Sequence, residues 1–253
     1  MITQSTISSD IDTLESIYGG IGCKRPGGYT NLEFELGLEK FTRFLEPYKI
    51  KSTMFMVGKD FEYKKNHKII KDISNQGHEI GNHTYSHSQG FRFLSSFQME
   101  EEIKKMEDLC KNLTNIKPIG FRSPGWNNGD KAYKILRKRK YLYDASIHPT
   151  FFMPILKILH FFSTSSRKRY DRTTMGQFNY MFAPLNPYKC LKDNFGRKGN
   201  DKFIEFPMTV TPIIRLPFFA TFLLSTNVKL FDLSLKSILK SGNIIQFMFH
   251  LSD

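Results

Sequence analysis

Two acidic residues near the start of the chain have the spacing that a metal site requires. Asp10 and Asp12 stand at i and i+2, so both carboxylates point to the same side of an extended strand. Two carboxylates this close repel each other unless a cation or a base lies between them. For the pair alone, a solvated turn or a helix cap is the commoner explanation.

Two histidines supply the partners that such a carboxylate needs. His83 and His87 stand at i and i+4, which predicts that both imidazoles lie on one face of a helical turn and share a metal ion. Two histidines and Asp12 leave coordination positions open for water and substrate, as catalysis requires. The other histidines that we considered are predicted to be ordinary surface or core residues: His67, His78, His148 and His160.

Two later segments carry groups that could assist this site. In Phe-Arg-Ser-Pro-Gly-Trp, Arg122 can pair with a carboxylate and orient it, Pro124 shapes a tight turn, and Trp126 could form a wall against a sugar ring. His250 could act as a general acid near neutral pH, and Asp144 is placed to orient it. The alternatives are an ordinary turn with a surface arginine, and satisfied polar groups at strand ends.

The elements that must position these residues alternate along the chain. Hydrophobic patterns predict seven strands, over residues 2–10, 52–57, 78–82, 119–122, 141–146, 203–210 and 243–251. Helices are predicted over 31–47, 61–76, 129–140 and 230–240, and another begins after Ser95, which forms a capping box with Gln98. This alternation indicates a parallel sheet or barrel, whose strand ends gather the four polar clusters.

Two segments do not fit this alternation of strands and helices. Residues 148–202 are rich in Phe, Pro, Arg and Lys and are predicted to be a long loop-like insertion that is either functional or partly disordered. The apolar stretch 212–224 is too short to span a membrane and contains Arg215. Burial is the favoured prediction for it, and an apolar patch that touches a membrane is the alternative.

Composition sets limits on the partners and the compartment. The 253 residues fit one α/β domain, and the net charge of +13 favours anionic neighbours, although a lysine-rich proteome explains it equally well. No nucleic-acid-binding motif accompanies the charge, so nucleic acid is not an expected partner. Three scattered cysteines and the lack of a signal peptide predict a cytoplasmic protein.

Together, these motifs resemble the polysaccharide deacetylase, or NodB-homology, family of carbohydrate esterases, from Asp10 to His250. The resemblance implies one domain over residues 1–253, a distorted (β/α)7-type barrel of the α/β class, and a divalent metal ion, most often Zn²⁺. It also implies a role for each motif residue: the catalytic base Asp10, the metal ligands Asp12, His83 and His87, the base's neighbour Arg122, the fourth-motif Asp144, the general acid His250, and the substrate contacts Pro124 and Trp126.

Two departures from the family pattern concern the substrate and the end of the chain. Ile11 separates the two aspartates, and this D-x-D form resembles a subgroup with peptidoglycan-type deacetylases and lipid-linked aminoarabinose deformylases. The sequence stops three residues after His250, where family members continue into a closing helix, so a C-terminally truncated domain is expected.

The expected function is hydrolysis of an N-acetyl or N-formyl group on a sugar or polysaccharide by a metal-activated water. One alternative is the same chemistry on a lipid-phosphate-linked sugar at an anionic membrane surface, which the positive charge and residues 212–224 favour. The other is a non-catalytic relic that binds metal or glycan. A site with two histidines and one aspartate would also accept cobalt, nickel or iron.

Overall fold

The computed structural model describes residues 5–20, 23–24, 27, 32–152, 176–251 and 253. The strands are β1 (Ser5–Ile11), β2 (Thr53–Met56), β3 (Glu79–Asn82), β4 (Gly120–Phe121), β5 (Tyr143–Asp144), β6 (Tyr188–Leu191), β7 (Asn194–Lys198), β8 (Ile204–Glu205) and β9 (Ile245–His250). The α-helices are α1 (Leu14–Gly20), α2 (Glu39–Leu45), α3 (His67–Asn75), α4 (Ser96–Thr114), α5 (Asp130–Lys138), α6 (Ala220–Leu224) and α7 (Val228–Ser241).

The strands form one curved sheet in the order β7-β6-β8-β5-β4-β3-β2-β1-β9. Seven of them run parallel, from β9 through β1, β2, β3, β4 and β5 to β8. The hairpin of β6 and β7 adds to β8 in the antiparallel direction. This arrangement confirms the predicted α/β fold with a distorted barrel of seven parallel strands.

The barrel is distorted between β8 and β9, the strands at the two ends of the row of seven parallel strands. No backbone ladder joins these two strands among the described residues. Instead, the backbone N–H of Gln246 donates to Oγ1 of Thr209 at 2.7 Å. The side-chain amide of Gln246, oriented to donate, reaches the carbonyls of Phe206 and Pro207 at 2.8 and 2.9 Å. Side chains therefore bridge the seam that a regular barrel closes with strand hydrogen bonds.

Alternation along the strands separates a polar interior from apolar outer layers. In β1, Ser8 and Asp10 belong to the polar interior, whereas Ile11 packs with the surrounding helices. One outer core lies around β1 to β3 and contains Phe34, Leu38, Met54, Met56, Ile70, Ile73, Ile80 and Met106. A second core lies around β4 to β8 and contains Met99, Ile103, Phe121, Tyr133, Leu136, Phe195 and Phe203.

Two glycines make room for large rings inside the barrel. A Cβ atom on Gly81 would overlap the ring of Phe55, and one on Gly120 would overlap the ring of Tyr143. These glycines let the two rings fill the interior, and the ring of Phe55 in turn lies 4.2 Å from the guanidinium carbon of Arg122. The small residues of β3 and β4 thus support a charged group of the candidate site.

Most predicted elements are present, with shorter bounds. The capping box of Ser95 and Gln98 is confirmed. The helix predicted over 31–47 is a π-helix (Glu33–Leu38) followed by α2, and the helix predicted over 61–76 begins only at His67, after two 3₁₀ turns. The short helices α1 and α6 were not predicted from the sequence.

The predicted insertion over 148–202 is only partly testable, because residues 153–175, with His160, lie outside the described residues. In its later part, the prediction of a loop is wrong, since a 3₁₀ helix (Phe178–Phe182) and the hairpin of β6 and β7 occupy it. The burial predicted over 212–224 holds for Leu216 and Phe218 but not for Ile213 and Ile214, which are 84% and 58% exposed. Among the described residues, no helix has both the length and the apolar character that a membrane crossing requires.

Candidate active site

The predicted polar residues meet at the carboxyl ends of the parallel strands. Single ligand atoms of Asp12, His83 and His87 all lie within 4.8 Å of one another. The same holds for single atoms of Asp10, Asp12 and His250. One face of the barrel therefore combines three candidate metal ligands with a second carboxylate and a third imidazole.

Asp12 lies between the two imidazoles in the geometry of a metal centre. Its Oδ1 is 3.3 Å from Nε2 of His83 and 3.3 Å from Nε2 of His87. This oxygen is buried and has no hydrogen-bond partner among the described residues. Nδ1 of His83 donates to the carbonyl of Arg122 at 2.7 Å, which leaves the Nε2 lone pair directed at Asp12. An unpartnered carboxylate oxygen and two imidazole nitrogens fit a divalent metal ion.

The loop that carries His83 and His87 is not the helical turn that their spacing predicted. Thr84 and His87 have φ angles of 64° and 56°, in the left-handed region that β-branched and bulky residues rarely adopt. The two imidazoles, with ring centroids 5.1 Å apart, converge because the chain folds back on itself. Such strain persists only where neighbouring groups hold the backbone in place.

Two residues outside the predicted motifs hold this loop. Oδ1 of Asn82 accepts from the backbone N–H of Thr84 at 2.8 Å, and its Nδ2 donates to the carbonyl of Ile103 at 2.9 Å. Glu102 of α4 accepts from the backbone N–H groups of Tyr85 and Ser86 at 3.1 and 2.8 Å. Asn82 directly precedes His83, but nothing in the sequence singles out Glu102 among its acidic neighbours on α4.

The charges at the metal-ligand cluster reinforce one another. Burial opposes ionisation of Asp12, but the neighbouring His87 and His83 outweigh it and hold the pKa of Asp12 well below its usual value. Burial lowers the pKa of His83, whereas the carboxylates of Asp10 and Asp12 raise it, and the net direction is upward. Without a metal ion, a proton between Asp12 and the imidazoles fills the same electrostatic role.

Arg122 holds Asp10 in a fixed orientation, as predicted. Its Nη1 donates to Oδ1 of Asp10 at 2.6 Å, and both side chains are buried. Nη2 donates to Oγ of Ser8 at 3.0 Å, and Nε donates to the carbonyl of Ala145 at 3.0 Å. The planar guanidinium thereby ties β1 to the end of β5 and leaves one carboxylate oxygen of Asp10 available for a substrate or water.

His250 lies at the end of β9, but its partners differ from the predicted one. The hydroxyl of Thr221 donates to Asp253 at 2.8 Å and so can accept from Nδ1 of His250 at 3.0 Å. The backbone N–H of His250 also donates to Asp253, at 2.8 Å. Burial lowers the pKa of His250, but the bond to Asp253 and the charges of Asp10 and Asp12 raise it above its usual value.

Asp144 does not orient His250, so the role that we predicted for it is wrong. Its two oxygens accept from Oγ of Ser146 at 2.6 Å and from Nδ2 of Asn128 at 2.8 Å. Oγ of Ser146 in turn accepts from the backbone N–H of Ser123 at 2.8 Å. Asp144 therefore braces the segment after Arg122. It does not reach His250, because its buried carboxylate lies at the end of a short strand and contacts only near neighbours.

A second buried carboxyl group, Glu205, lies beside Asp144. The two are register partners in β5 and β8, and neither is accessible to solvent. Burial raises the pKa of Asp144 to about 6, and burial followed by the charge of Asp144 raises the pKa of Glu205 well above its usual value. Glu205 also accepts from the backbone N–H of Ile147 at 2.9 Å. The sequence predicted a strand here, but its pattern indicated no role for Glu205.

Trp126 and Pro124 share a 3₁₀ turn near His250. The ring of Trp126 is partly exposed, with its centroid 6.3 Å from that of His250, as a wall for a sugar ring requires. Pro124 is buried, so its predicted contact with substrate is not supported, and it shapes the turn instead. The described structure thus brings together the predicted residues except for the contacts assigned to Asp144 and Pro124.

Comparison with known proteins finds similarity to the same family that the motifs resemble. The family described as polysaccharide deacetylase matches residues 29–143. The peptidoglycan deacetylase of Helicobacter pylori is 30% identical over 121 residues, which cover 47% of this chain and 40% of that protein. A peptidoglycan-N-acetylglucosamine deacetylase of Bacillus cereus is 31% identical over 97 residues, 38% of this chain and 44% of that protein. The chain thus spans less than half the length of these two relatives.

A solved structure matches the fold over nearly the whole chain. It comes from Mycobacterium smegmatis, is assigned to the polysaccharide deacetylases, and superposes with a TM-score of 0.66 at 15% identity. The match covers 99% of this chain and 79% of the other. At this identity, the similarity establishes the fold alone.

Proposed function

We propose that the chain, which is similar to the polysaccharide deacetylase family over residues 29–143 and to a peptidoglycan deacetylase over 121 residues, hydrolyses the N-acyl group of a sugar with a divalent metal ion. The observation that carries the proposal is the buried, unpartnered Oδ1 of Asp12, 3.3 Å from both Nε2 atoms of His83 and His87. A divalent metal ion held by these three residues, most often zinc, would polarise the acyl carbonyl and lower the pKa of a water molecule.

Asp10 and His250 divide the proton transfers in this proposal. Asp10 takes a proton from the water that attacks the amide carbonyl, while Arg122 keeps its carboxylate in position. His250 gives a proton to the departing sugar amine as the carbon–nitrogen bond breaks. The raised pKa of His250 supports this role, because it keeps the imidazole protonated at a higher pH. The products are the free amine and a carboxylic acid.

The test measures metal and hydrolysis on the same samples. Purified protein is analysed for bound metal and for acetate released from penta-N-acetylchitopentaose, before and after removal of metal with a chelator. His83→Ala is expected to lose both bound metal and acetate release. His67→Ala, which removes a histidine from α3 outside the ligand cluster, is the matched control and should keep both. Full activity in metal-free protein would contradict the proposal.

The same experiment separates an enzyme from a non-catalytic relic. A relic would bind zinc with ordinary affinity and release neither acetate nor formate from any N-acylated sugar. Restoration of activity when zinc is returned to metal-free protein would exclude that alternative. Cobalt, nickel and iron tested in parallel would identify which metal ion supports turnover.

A lipid-phosphate-linked sugar at an anionic membrane surface is the second candidate substrate. Exposed Ile213 and Ile214 favour it, together with the net charge of +13. The test is cosedimentation with phosphatidylglycerol vesicles, which replacement of both isoleucines by serine should weaken. Phe97→Ser, at an exposed position on α4, is the control. Failure of the wild type to sediment with the vesicles would contradict membrane association, and equal binding by all three proteins would contradict a role for the two isoleucines. The cytoplasmic location stays a prediction.

A further inference from the structure

His148 is a buried histidine with no assigned role, just beyond the carboxyl end of β5. It is 2% exposed, and neither Nδ1 nor Nε2 has a hydrogen-bond partner among the described residues. Buried polar groups almost always have a partner, so each exception requires an explanation. Burial lowers the pKa of His148 to about 3, so the ring is neutral near pH 7 and offers one donor and one acceptor.

The rings around His148 connect it to the candidate active site. Its ring centroid lies 5.0 Å from that of Trp126 and 5.7 Å from that of Phe219. Trp126 lies in turn 6.3 Å from the ring of His250. We call these four rings, Trp126, His148, Phe219 and His250, the aromatic wall. A sugar that presents its N-acyl group to Asp12 and His250 would meet this wall with its ring.

The backbone of Trp126 is strained at the same place. Its φ angle is 54°, directly after Gly125 at 58°. A left-handed conformation is costly for a bulky side chain, and such residues occur frequently at ligand sites. An unpartnered imidazole and a strained tryptophan are therefore in direct contact, and a ligand that moves one ring could relieve both.

We propose that His148 is a substrate-contacting residue, which binds a hydroxyl group of an N-acylated pyranose once the ring of Trp126 has moved aside. A hydroxyl both donates and accepts, which matches the two nitrogens of a neutral imidazole. The contact adds specificity because an analogue without that hydroxyl leaves a buried polar group unpaired. This inference rests on the proposed function, since it names a contact for that substrate.

The sole tryptophan provides a readout of binding that does not depend on turnover. Metal-free wild-type protein is titrated with penta-N-acetylchitopentaose while the fluorescence of Trp126 is recorded. His148→Phe keeps a ring against Trp126 but removes both polar atoms, and we expect it to weaken binding about 5- to 50-fold. His148→Gln restores a donor and an acceptor and should recover part of the loss. His67→Phe, on α3, is the control.

Kinetics on the metal-loaded protein complete the test. His148→Phe should raise KM by about the same factor and change kcat much less, whereas general loss of structure would lower the apparent kcat and leave KM unchanged. If His148→Phe does not fold, wild-type protein titrated with mono-deoxy analogues of di-N-acetylchitobiose gives the second measurement. At least one of these analogues should bind more weakly than di-N-acetylchitobiose itself, by about the same factor as His148→Phe weakens binding.

The outcomes separate this inference from the proposed function. Unchanged affinity and KM in His148→Phe, with normal acetate release, would overturn the inference and leave the function intact. Weaker binding by His148→Phe, with no acetate release from any of the proteins, would support the inference and overturn the function. No binding and no release by the wild type would overturn both.

Discussion

At the scale of single residues, the candidate site depends on Asp12 and the two imidazoles directed at it. Thr84 and His87 adopt positive φ angles that their residue types do not favour, so tertiary contacts must impose this backbone conformation. Asn82 and Glu102 supply those contacts from β3 and α4. We therefore regard the metal-ligand loop as preorganised by its hydrogen bonds before any ion binds.

Metal binding should release protons and weaken as the pH falls. Burial lowers the pKa of His83, but the carboxylates of Asp10 and Asp12 outweigh burial and raise it, so a proton competes with a metal ion for the ligand cluster. We expect release of about one proton per zinc ion and a falling affinity from pH 7.5 to pH 5.5. Calorimetric titration of metal-free protein in buffers with different ionisation enthalpies measures this release. A heat of binding that is the same in every buffer would contradict it.

Residue types and spacing predicted most of the residues that the candidate site brings together. Metal ligands and proton carriers belong to few residue types, so they can be recognised where they follow predicted strands. Asp10, Asp12, Arg122 and His250 lie where that reasoning placed them relative to each other. The partner of His250 was missed, since Thr221 belongs to a helix that no apolar pattern signalled. Contacts between different segments leave no trace in local spacing, so the bond from Asn128 to Asp144 and the loop contact of Glu102 were also missed.

At the scale of elements, α4 supports the metal-ligand loop and depends on its own first turn. Oγ of Ser95 accepts from the backbone N–H of Gln98 at 3.2 Å, and Oε1 of Gln98 accepts from the N–H of Ser95 at 3.0 Å. The helix then runs to Thr114 and carries Glu102 on the way. The local motif was visible in the sequence because both partners lie within one turn.

Loss of this capping box should lower stability measurably. Ser95→Ala removes the acceptor for Gln98 N–H, and we expect it to lower the free energy of unfolding by about 1 kcal/mol. For a domain of this size, that corresponds to about 2–4 °C in Tm. Urea and thermal unfolding check the value. Ser96→Ala, one residue later on the exposed surface, should change stability by less than about 0.5 kcal/mol, and equal effects of the two changes would argue against the cap.

At the scale of the whole molecule, the sheet carries a buried acidic pair on neighbouring strands. Asp144 and Glu205 hold protons in the folded protein up to a higher pH than in the unfolded chain. The folded state therefore binds more protons between their ordinary and raised pKa values. The stability that they contribute is present at low pH and is lost as the pH rises through the raised values.

Glu205→Gln should flatten this pH dependence. The amide keeps an acceptor for Ile147 N–H but does not ionise, so the proton that buried Glu205 binds in the folded protein no longer contributes to the pH dependence. Metal-free wild type should lose about 1–3 kcal/mol more stability than the variant between pH 5 and pH 8. Urea unfolding at both pH values gives the difference. Glu101→Gln, exposed on α4, is the control and should follow the wild type.

The order of the strands was only partly predictable from the sequence. Alternating strands and helices indicated a parallel barrel, because each helix returns the chain to the same end of the sheet. The side-chain seam between β8 and β9 was not predictable, since it depends on how Gln246 and Thr209 meet across the barrel. The same limit applies to Gly81 and Phe55, whose fit appears only when β2 and β3 are in register.

The pairing of β1 with β9 also has a consequence during protein synthesis. Ser5 pairs with Ile245, 240 positions further along the chain, so one edge of β1 has no partner until β9 has been made. At the usual rate of translation, that delay is roughly 10–50 s. Throughout this interval, a nascent chain displays an open strand edge next to Asp10 and Asp12. We therefore expect chaperones to bind the growing chain before β9 emerges from the ribosome.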